Sequence, residues 1–178
     1  MIRRLLDVLY DAAGWLAAAF VLALFVVMIG QSILREFGVA TGPVNDVVAW
    51  SCAAAAFLAM AHTFRHGDFV RMTLVIEAAS PRLRRPMEIL AIMAGLIGTG
   101  YAAYWVVRSV FDSWRYQEMT TGLLVLPLWI PQIAFALGAI LLFVALLDEL
   151  VCVVRGATPS YVAAVEERRA RGDYSEEL

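Results

Sequence analysis

The chain has 178 residues, of which 62% are hydrophobic, and its mean hydropathy is +0.75. A soluble domain contains about 45–50% apolar residues, and a chain of this length could not bury so large an apolar excess in water. This composition excludes a soluble globular domain and predicts a membrane protein. The formal net charge of −2 carries little information, because orientation in a membrane depends on where Arg and Lys lie and not on their total.

Four long apolar runs predict an all-α membrane protein with four transmembrane helices arranged as two hairpins. Each run approaches the roughly 20 residues that a helix needs to cross about 30 Å of hydrocarbon. We expect the third helix to continue beyond the lipid to about residue 119, because pairs of opposite charge follow at helical spacing. The predicted spans cover about residues 14–34, 47–64, 87–107 and 127–150.

The two ends of the chain are predicted to lie outside the lipid core. Residues 1–13 combine two arginines with apolar positions, which is typical of a short amphipathic helix on the membrane surface. Residues 14–154 would form the membrane domain, and residues 155–178 would form a cytoplasmic tail.

The segment between the second and third spans is rich in arginine. Loops of this kind resist translocation and stay on the cytoplasmic side, so this loop and both termini are predicted to face the cytoplasm. The same arginines are candidates for contacts with lipid headgroups. Within the loop, residues 68–79 are too short to span the membrane and are expected to lie in its inner interface. The arginines are Arg65, Arg71, Arg82, Arg84 and Arg85.

A smaller set of charges falls on the predicted outer side. Arg35 and Asp46 flank the first outer loop, and Arg108, Asp112 and Arg115 lie on the continuation of the third helix. These five residues are candidates for docking a soluble partner outside the membrane. A solvated helical extension without a partner is the alternative interpretation of the last three.

Glycine and proline mark the candidate sites of helix packing. Small residues let transmembrane helices approach closely, and prolines near a helix start are tolerated in its first turn. A tryptophan between two such prolines is more typical of an anchor at the membrane surface. The candidate packing residues are Gly95, Gly98, Gly100, Pro127, Trp129, Pro131 and Gly138.

The middle of each predicted span lacks Asp, Glu, Arg and Lys. Ion and proton pathways usually place such residues in the bundle interior, so the chain is not expected to conduct a charged solute alone. No nucleophile and base pair suggests an enzyme. His62 and His66 are four residues apart, but the chain has no third histidine, and a bis-histidine haem usually draws its ligands from different helices. The pattern favours histidines near the headgroups, with no cofactor and no metal.

Two local patterns carry a resemblance to a known family. Residues 57–71 read FLAMAHTFRHGDFVR, where the second span enters the arginine-rich loop, and residues 122–132 read GLLVLPLWIPQ, followed by Gly138. With the length and the four spans, these patterns make the chain similar to the small membrane subunit of tripartite ATP-independent periplasmic (TRAP) transporters.

The resemblance implies a function and a set of partners. Such small subunits pair with a large membrane subunit, which holds the substrate and sodium sites, and they enlarge its static scaffold. A periplasmic substrate-binding protein delivers an organic acid to the outer face. The resemblance therefore implies sodium symport in a bacterial inner membrane, with membrane lipids and no nucleic acid as further partners. It also implies that the five outer charges help to dock the binding protein.

Two other classes of function remain open at this point. A small exporter that works as an oligomer would need an acidic residue within the membrane for proton coupling, and the predicted spans contain none in their middle. A membrane anchor subunit of another complex would need only a structural dock, which the sequence allows.

Overall fold

The computed structural model describes residues 2–39, 41–66 and 81–155. Within these ranges each of the four helices is long and apolar enough to cross a membrane, which confirms the prediction of an all-α protein with four membrane helices. The interfacial segment predicted at residues 68–79 and the tail after residue 155 lie outside the described residues. The helices are α1 (Ile2–Glu36), α2 (Val44–His66), α3 (Pro81–Arg115) and α4 (Trp129–Val154).

The helices pack as two antiparallel hairpins whose second members lie side by side. The main contacts join α1 to α2, α2 to α4, and α4 to α3. In the first hairpin Asp7 at the start of α1 meets Arg65 near the end of α2. In the second, Gly100 of α3 lies beside Phe143 of α4.

The central pair, α2 and α4, runs in parallel. Phe57 contacts Phe135 with ring centroids 5.6 Å apart, and eight residues further along α2 Arg65 meets Asp148. The end of the helices that carries Arg65 and Asp148 is called the Arg65 end below. The opposite end, which holds the α1–α2 and α3–α4 connections, is called the Asp46 end.

The structure differs from the prediction at the beginning of the chain. Residues 2–13 form no separate surface helix, because α1 runs without a break from Ile2 to Glu36. Tyr10 is completely buried and Ala13 is 6% exposed, since this part of α1 packs against α2 and α4. Tyr10 and Ala13 therefore belong to the helix bundle, and the interfacial position of residues 1–13 stays a prediction.

The third helix begins and ends earlier than expected. It starts at Pro81, ahead of the predicted span that begins at about residue 87, so that Pro86 lies inside the helix. It ends at Arg115 and not near residue 119, because Gln117 adopts a left-handed conformation with φ of 53°. The amide of Glu118 then donates to the carbonyl of Ser113 at 3.0 Å, and that of Gln117 to Trp114 at 3.4 Å. This is the Schellman arrangement that closes a helix.

Helix α4 is the centre of the packing. In its most apolar stretch 44% of residues are buried, against 11% in α1 and in α3. The outer helices therefore turn most of their apolar side chains away from the chain, towards lipid or a partner. The core cluster lies near the Arg65 end and consists of Tyr10, Ala61, Phe64, Ile92, Leu142, Ala145, Leu146 and Val153.

Candidate functional site

Arg65 joins three helices through a pair of carboxylates. Its guanidinium donates to Asp7 Oδ1 of α1 at 2.7 Å and to Asp148 Oδ2 of α4 at 3.1 Å. The Arg65 side chain is only 17% exposed and that of Asp148 19%, whereas that of Asp7 is 45% exposed. The structure therefore turns Arg65, a candidate for headgroup contact, towards protein carboxylates. We call these three residues the arginine clamp.

For the other arginines of the loop, the structure gives at most the position of the backbone. Arg82, Arg84 and Arg85 lie in the first turns of α3, and Arg71 lies outside the described residues.

Two further polar residues, each within three positions of a clamp residue in the sequence, are buried. Tyr10 is completely buried, and its hydroxyl has no hydrogen-bond partner within residues 2–39, 41–66 and 81–155. Glu149, next to Asp148, is 1% exposed. A buried carboxyl group and a buried phenol cost free energy unless neighbouring polar groups stabilise them, and the Arg65 end holds one of each.

A second polar group at the Arg65 end contains both histidines. His62 Nδ1 lies 3.6 Å from Asp11 Oδ1, and His66 Nε2 lies 4.0 Å from the same oxygen. The two imidazole rings are 4.1 Å apart between centroids. Sequence spacing placed the histidines on one helical face, but the structure adds Asp11 of α1 opposite them.

At the other end, Asp46 anchors the connection between α3 and α4. Its Oδ2 atom accepts a hydrogen bond from the amide of Leu124 at 3.3 Å. A Cβ atom on Gly122 would collide with the same carboxylate, so the close approach requires glycine at that position. Asp46 therefore holds a piece of its own chain, which is a structural role that the sequence pattern did not indicate.

The connection is also folded on itself. Thr120 donates its amide to the carbonyl of Leu126 at 2.9 Å, and Leu126 donates its own amide to Thr120 Oγ1 at 3.0 Å. An isolated antiparallel bridge joins Met119 and Pro127. The loop that precedes α4 is thus an ordered surface at the Asp46 end.

The remaining candidate docking charges also lie towards the Asp46 end. Arg108 pairs with Asp112 at 3.7 Å, and both side chains are about half exposed. The Arg108 guanidinium also lies 5.3 Å from the centre of the Trp105 ring, within the range of a cation–π contact. Arg35 lies in the last turn of α1 and Arg115 is the last residue of α3, and both are exposed.

The candidate packing glycines fall into different environments. A Cβ on Gly138 would overlap the backbone of Phe57, and one on Gly100 would come within 2.9 Å of Phe143. Gly95 faces Leu146 at ordinary van der Waals distance, whereas Gly98 has no neighbour within 4 Å. Gly138 and Gly100 thus lie at close helix contacts, and Gly98 lies on an open face.

The prolines and the tryptophan mark the start of α4. The helix begins at Trp129 and Pro131 occupies its first turn, where a missing amide hydrogen costs little. The carbonyl of Pro127 accepts a hydrogen bond from the amide of Ile130 at 3.1 Å.

Sequence reasoning missed the residues that depend on distant partners. Asp7, Asp11 and Asp148 were not singled out, although acidic residues at the edges of long apolar runs are a signal that such partners exist. A groove of about 490 Å³ along α3 was also missed, since its lining comes from two helices. It is lined by Gly100, Ala103, Tyr104, Val107, Arg108, Phe111 and Phe143.

A protein family model matches most of the chain. The family model described as tripartite ATP-independent periplasmic transporters, DctQ component, matches residues 24–156, about three quarters of the chain. The matched range includes α2, α3 and α4 and excludes residues 1–23, which form most of α1 and contain Asp7 and Asp11. No curated protein matches the chain significantly.

Proposed function

Because the chain belongs to the DctQ family, the small membrane components of TRAP transporters, we propose that it is the scaffold subunit of such a transporter. It braces the large membrane subunit, which carries the substrate and sodium sites. A periplasmic binding protein supplies the substrate, an organic acid. The transporter works in the bacterial inner membrane, with the Arg65 end towards the cytoplasm.

The proposal of a bracing role is supported mainly by the distribution of charged residues. Ionised side chains in the described helices are confined to the ends, and the long stretches between them contain no Asp, Glu, Arg or Lys. A pathway for a charged solute or a coupling ion normally needs such residues within the membrane. This supports an accessory subunit over a carrier. The uncharged stretches are residues 12–34, 47–64, 89–107 and 130–147.

The outward faces of the outer helices support an assembly of several subunits. In α1, Trp15 is 79% exposed, Leu22 65% and Phe25 63%. In α3, Leu90 is 72% exposed and Ile97 67%. Large apolar surfaces of this kind fit either lipid or another membrane protein, and a brace requires at least one of them to hold the large subunit.

Transport by reconstituted components tests the proposal. Vesicles would contain the large subunit with or without this chain, with the binding protein and a panel of organic acids outside under a sodium gradient. We expect accumulation only when both membrane subunits are present. Accumulation driven by this chain alone would contradict the scaffold role, as would full activity of the large subunit without it. Purification in mild detergent would separately reveal a soluble redox partner if the chain anchored another complex.

We also propose that Arg108, Asp112 and Arg115 contribute to docking of the binding protein. The half-exposed pair of Arg108 and Asp112 supports this role, whereas Asp46 is occupied by the Leu124 amide. Arg35 stays a candidate because it lies in the last turn of α1, at the same end of the helices.

The double variant R108E/R115E tests this docking surface. Charge reversal should raise the concentration of binding protein that gives half-maximal uptake, while the amount of subunit in the membrane stays unchanged. R155E provides a matched control, because Arg155 is an exposed arginine at the Arg65 end. Equal uptake curves for R108E/R115E and the unaltered protein would count against the docking role.

A further inference from the structure

We propose that Asp11, His62 and His66 form a binding site for a divalent transition-metal ion of the zinc type. The ion would join the first third of α1 to the end of α2. This inference does not depend on the transport function, since it concerns the chain by itself.

The distances suit a shared ion. The three donor atoms lie within 4.8 Å of one another, with Asp11 Oδ1 3.6 Å from His62 Nδ1 and 4.0 Å from His66 Nε2. Tetrahedral zinc, with bonds of about 2.0–2.1 Å, holds its ligand atoms about 3.4 Å apart. Small rotations of the side chains would therefore bring all three donors to bonding distance.

The hydrogen bond of His66 selects the right tautomer for metal binding. His66 Nδ1 lies 3.0 Å from the backbone oxygen of His62. A carbonyl oxygen only accepts hydrogen bonds, so Nδ1 must carry the proton, and the lone pair of the neutral ring is on Nε2. Nε2 is the atom directed at Asp11. Metal-binding histidines commonly donate their other ring N–H to a backbone carbonyl in this way.

His62 contributes a nitrogen that forms no hydrogen bond with the described residues. Its Nδ1 atom is buried and makes no hydrogen bond within the described parts of the chain. The ring is held against α1, because a Cβ on Gly14 would come within 2.8 Å of its Cγ and Nδ1 atoms. Glycine at position 14 thus gives the ring its space, and coordination of an ion would satisfy the buried nitrogen.

Arg65, the arginine next to His66 in the chain, does not pair with this carboxylate. Arg65 directs its guanidinium to Asp7 and Asp148, so the negative charge of Asp11 is available to an ion. The side chains of Asp11 and His66 are 55% and 45% exposed, which leaves a route from water.

The donor set defines the class of ion. Two imidazoles and one carboxylate suit zinc and neighbouring transition metals, whereas calcium and magnesium prefer oxygen ligands. Three protein ligands also leave a fourth position for water or a group from another subunit.

Zinc binding to the purified full-length chain tests the proposal. The protein, with an affinity tag that lacks histidine, would be stripped of metal in detergent and titrated with zinc by calorimetry. We expect one zinc per chain, weakened at least about tenfold in D11N and in H66Q. D112N is the matched control, since it removes an exposed carboxylate at the other end. C52S tests whether the exposed thiol of Cys52 accounts for the binding, and it should leave the binding unchanged.

Two further measurements keep the test independent of folding defects. Zinc should raise the midpoint of thermal unfolding of the unaltered chain, because a ligand that binds only the folded state stabilises it. The same shift should be absent in H66Q, a substitution of a half-exposed side chain. Cobalt(II) should show the visible bands of a four-coordinate site in the unaltered chain and lose them in H66Q.

G14A should displace the His62 ring and weaken zinc binding as well. The proposal is overturned if the unaltered chain binds no stoichiometric zinc, if D11N and H66Q bind it as tightly as D112N does, or if C52S alone abolishes the binding.

Discussion

The substitution R65Q should destabilise the protein strongly, because it leaves Asp7 and Asp148 facing each other's charge without the guanidinium between them. Removing one partner of a buried ion pair costs about 3–5 kcal/mol. Asp148 and Arg65 are 19% and 17% exposed, so this cost applies mainly to their pair. Asp7 is 45% exposed, and water limits the loss of its contact to about 0–1 kcal/mol.

Glutamine retains part of the packing and one hydrogen-bond donor, so the expected net loss is about 2–4 kcal/mol of unfolding free energy. Equilibrium unfolding in mixed detergent micelles, followed by circular dichroism, would measure it. R155Q removes an exposed arginine from the same end and should change stability by less than about 0.5 kcal/mol.

A double-mutant cycle with D148N would separate the ion pair from general damage to packing. If the pair is the cause, R65Q/D148N should lose at least about 1 kcal/mol less than the sum of the single losses, since the carboxylate that faced Arg65 no longer carries a charge. A loss below about 0.5 kcal/mol for R65Q, or strictly additive losses in the cycle, would refute the clamp as a source of stability.

Three other substitutions test the packing. G138V should lower the free energy of unfolding by more than about 1–3 kcal/mol because its side chain would overlap the Phe57 backbone. G98A, on an open face, should change that free energy by no more than about 1 kcal/mol. Equal losses of stability in thermal unfolding would contradict the close contact of α2 and α4. G122A should lower stability by about 1–3 kcal/mol because its Cβ would displace the Asp46 carboxylate, and faster proteolysis of the α3–α4 connection would report the loss. Q117G should raise the unfolding midpoint slightly, since glycine adopts the observed φ of 53° without strain, and a lower midpoint would argue against this account of the helix end.

The transmembrane organisation could be predicted from local properties of the chain. Length and uninterrupted apolarity define a span without reference to its neighbours, so α2 and α4 were located to within a few residues. The packing of the first turns of α1 could not be predicted in the same way. Residues 1–13 have a pattern that fits a membrane surface, but Tyr10 and Ala13 are buried because α2 and α4 lie beside them.

The sites depended on contacts between residues far apart in sequence. Arg65 meets partners 58 and 83 residues away, and Asp46 holds an amide 78 residues away. A pattern with a period of 3.6 residues identifies which side chains share a helical face, but it carries no information about which helix that face will meet. Asp11 was therefore overlooked as the proposed third ligand beside two histidines.

Apolar length and the distribution of arginine were sufficient, without any structure, to determine that this is a four-helix membrane protein and to predict its orientation. The energy of transferring a helix into lipid is a sum over its own residues, so it can be evaluated from the chain alone. Tertiary packing decided which polar groups meet at the Arg65 end, that Asp46 holds the connection before α4, and which glycines lie at helix contacts. Those outcomes depend on the mutual placement of the helices, which is set by shape and by long-range contacts.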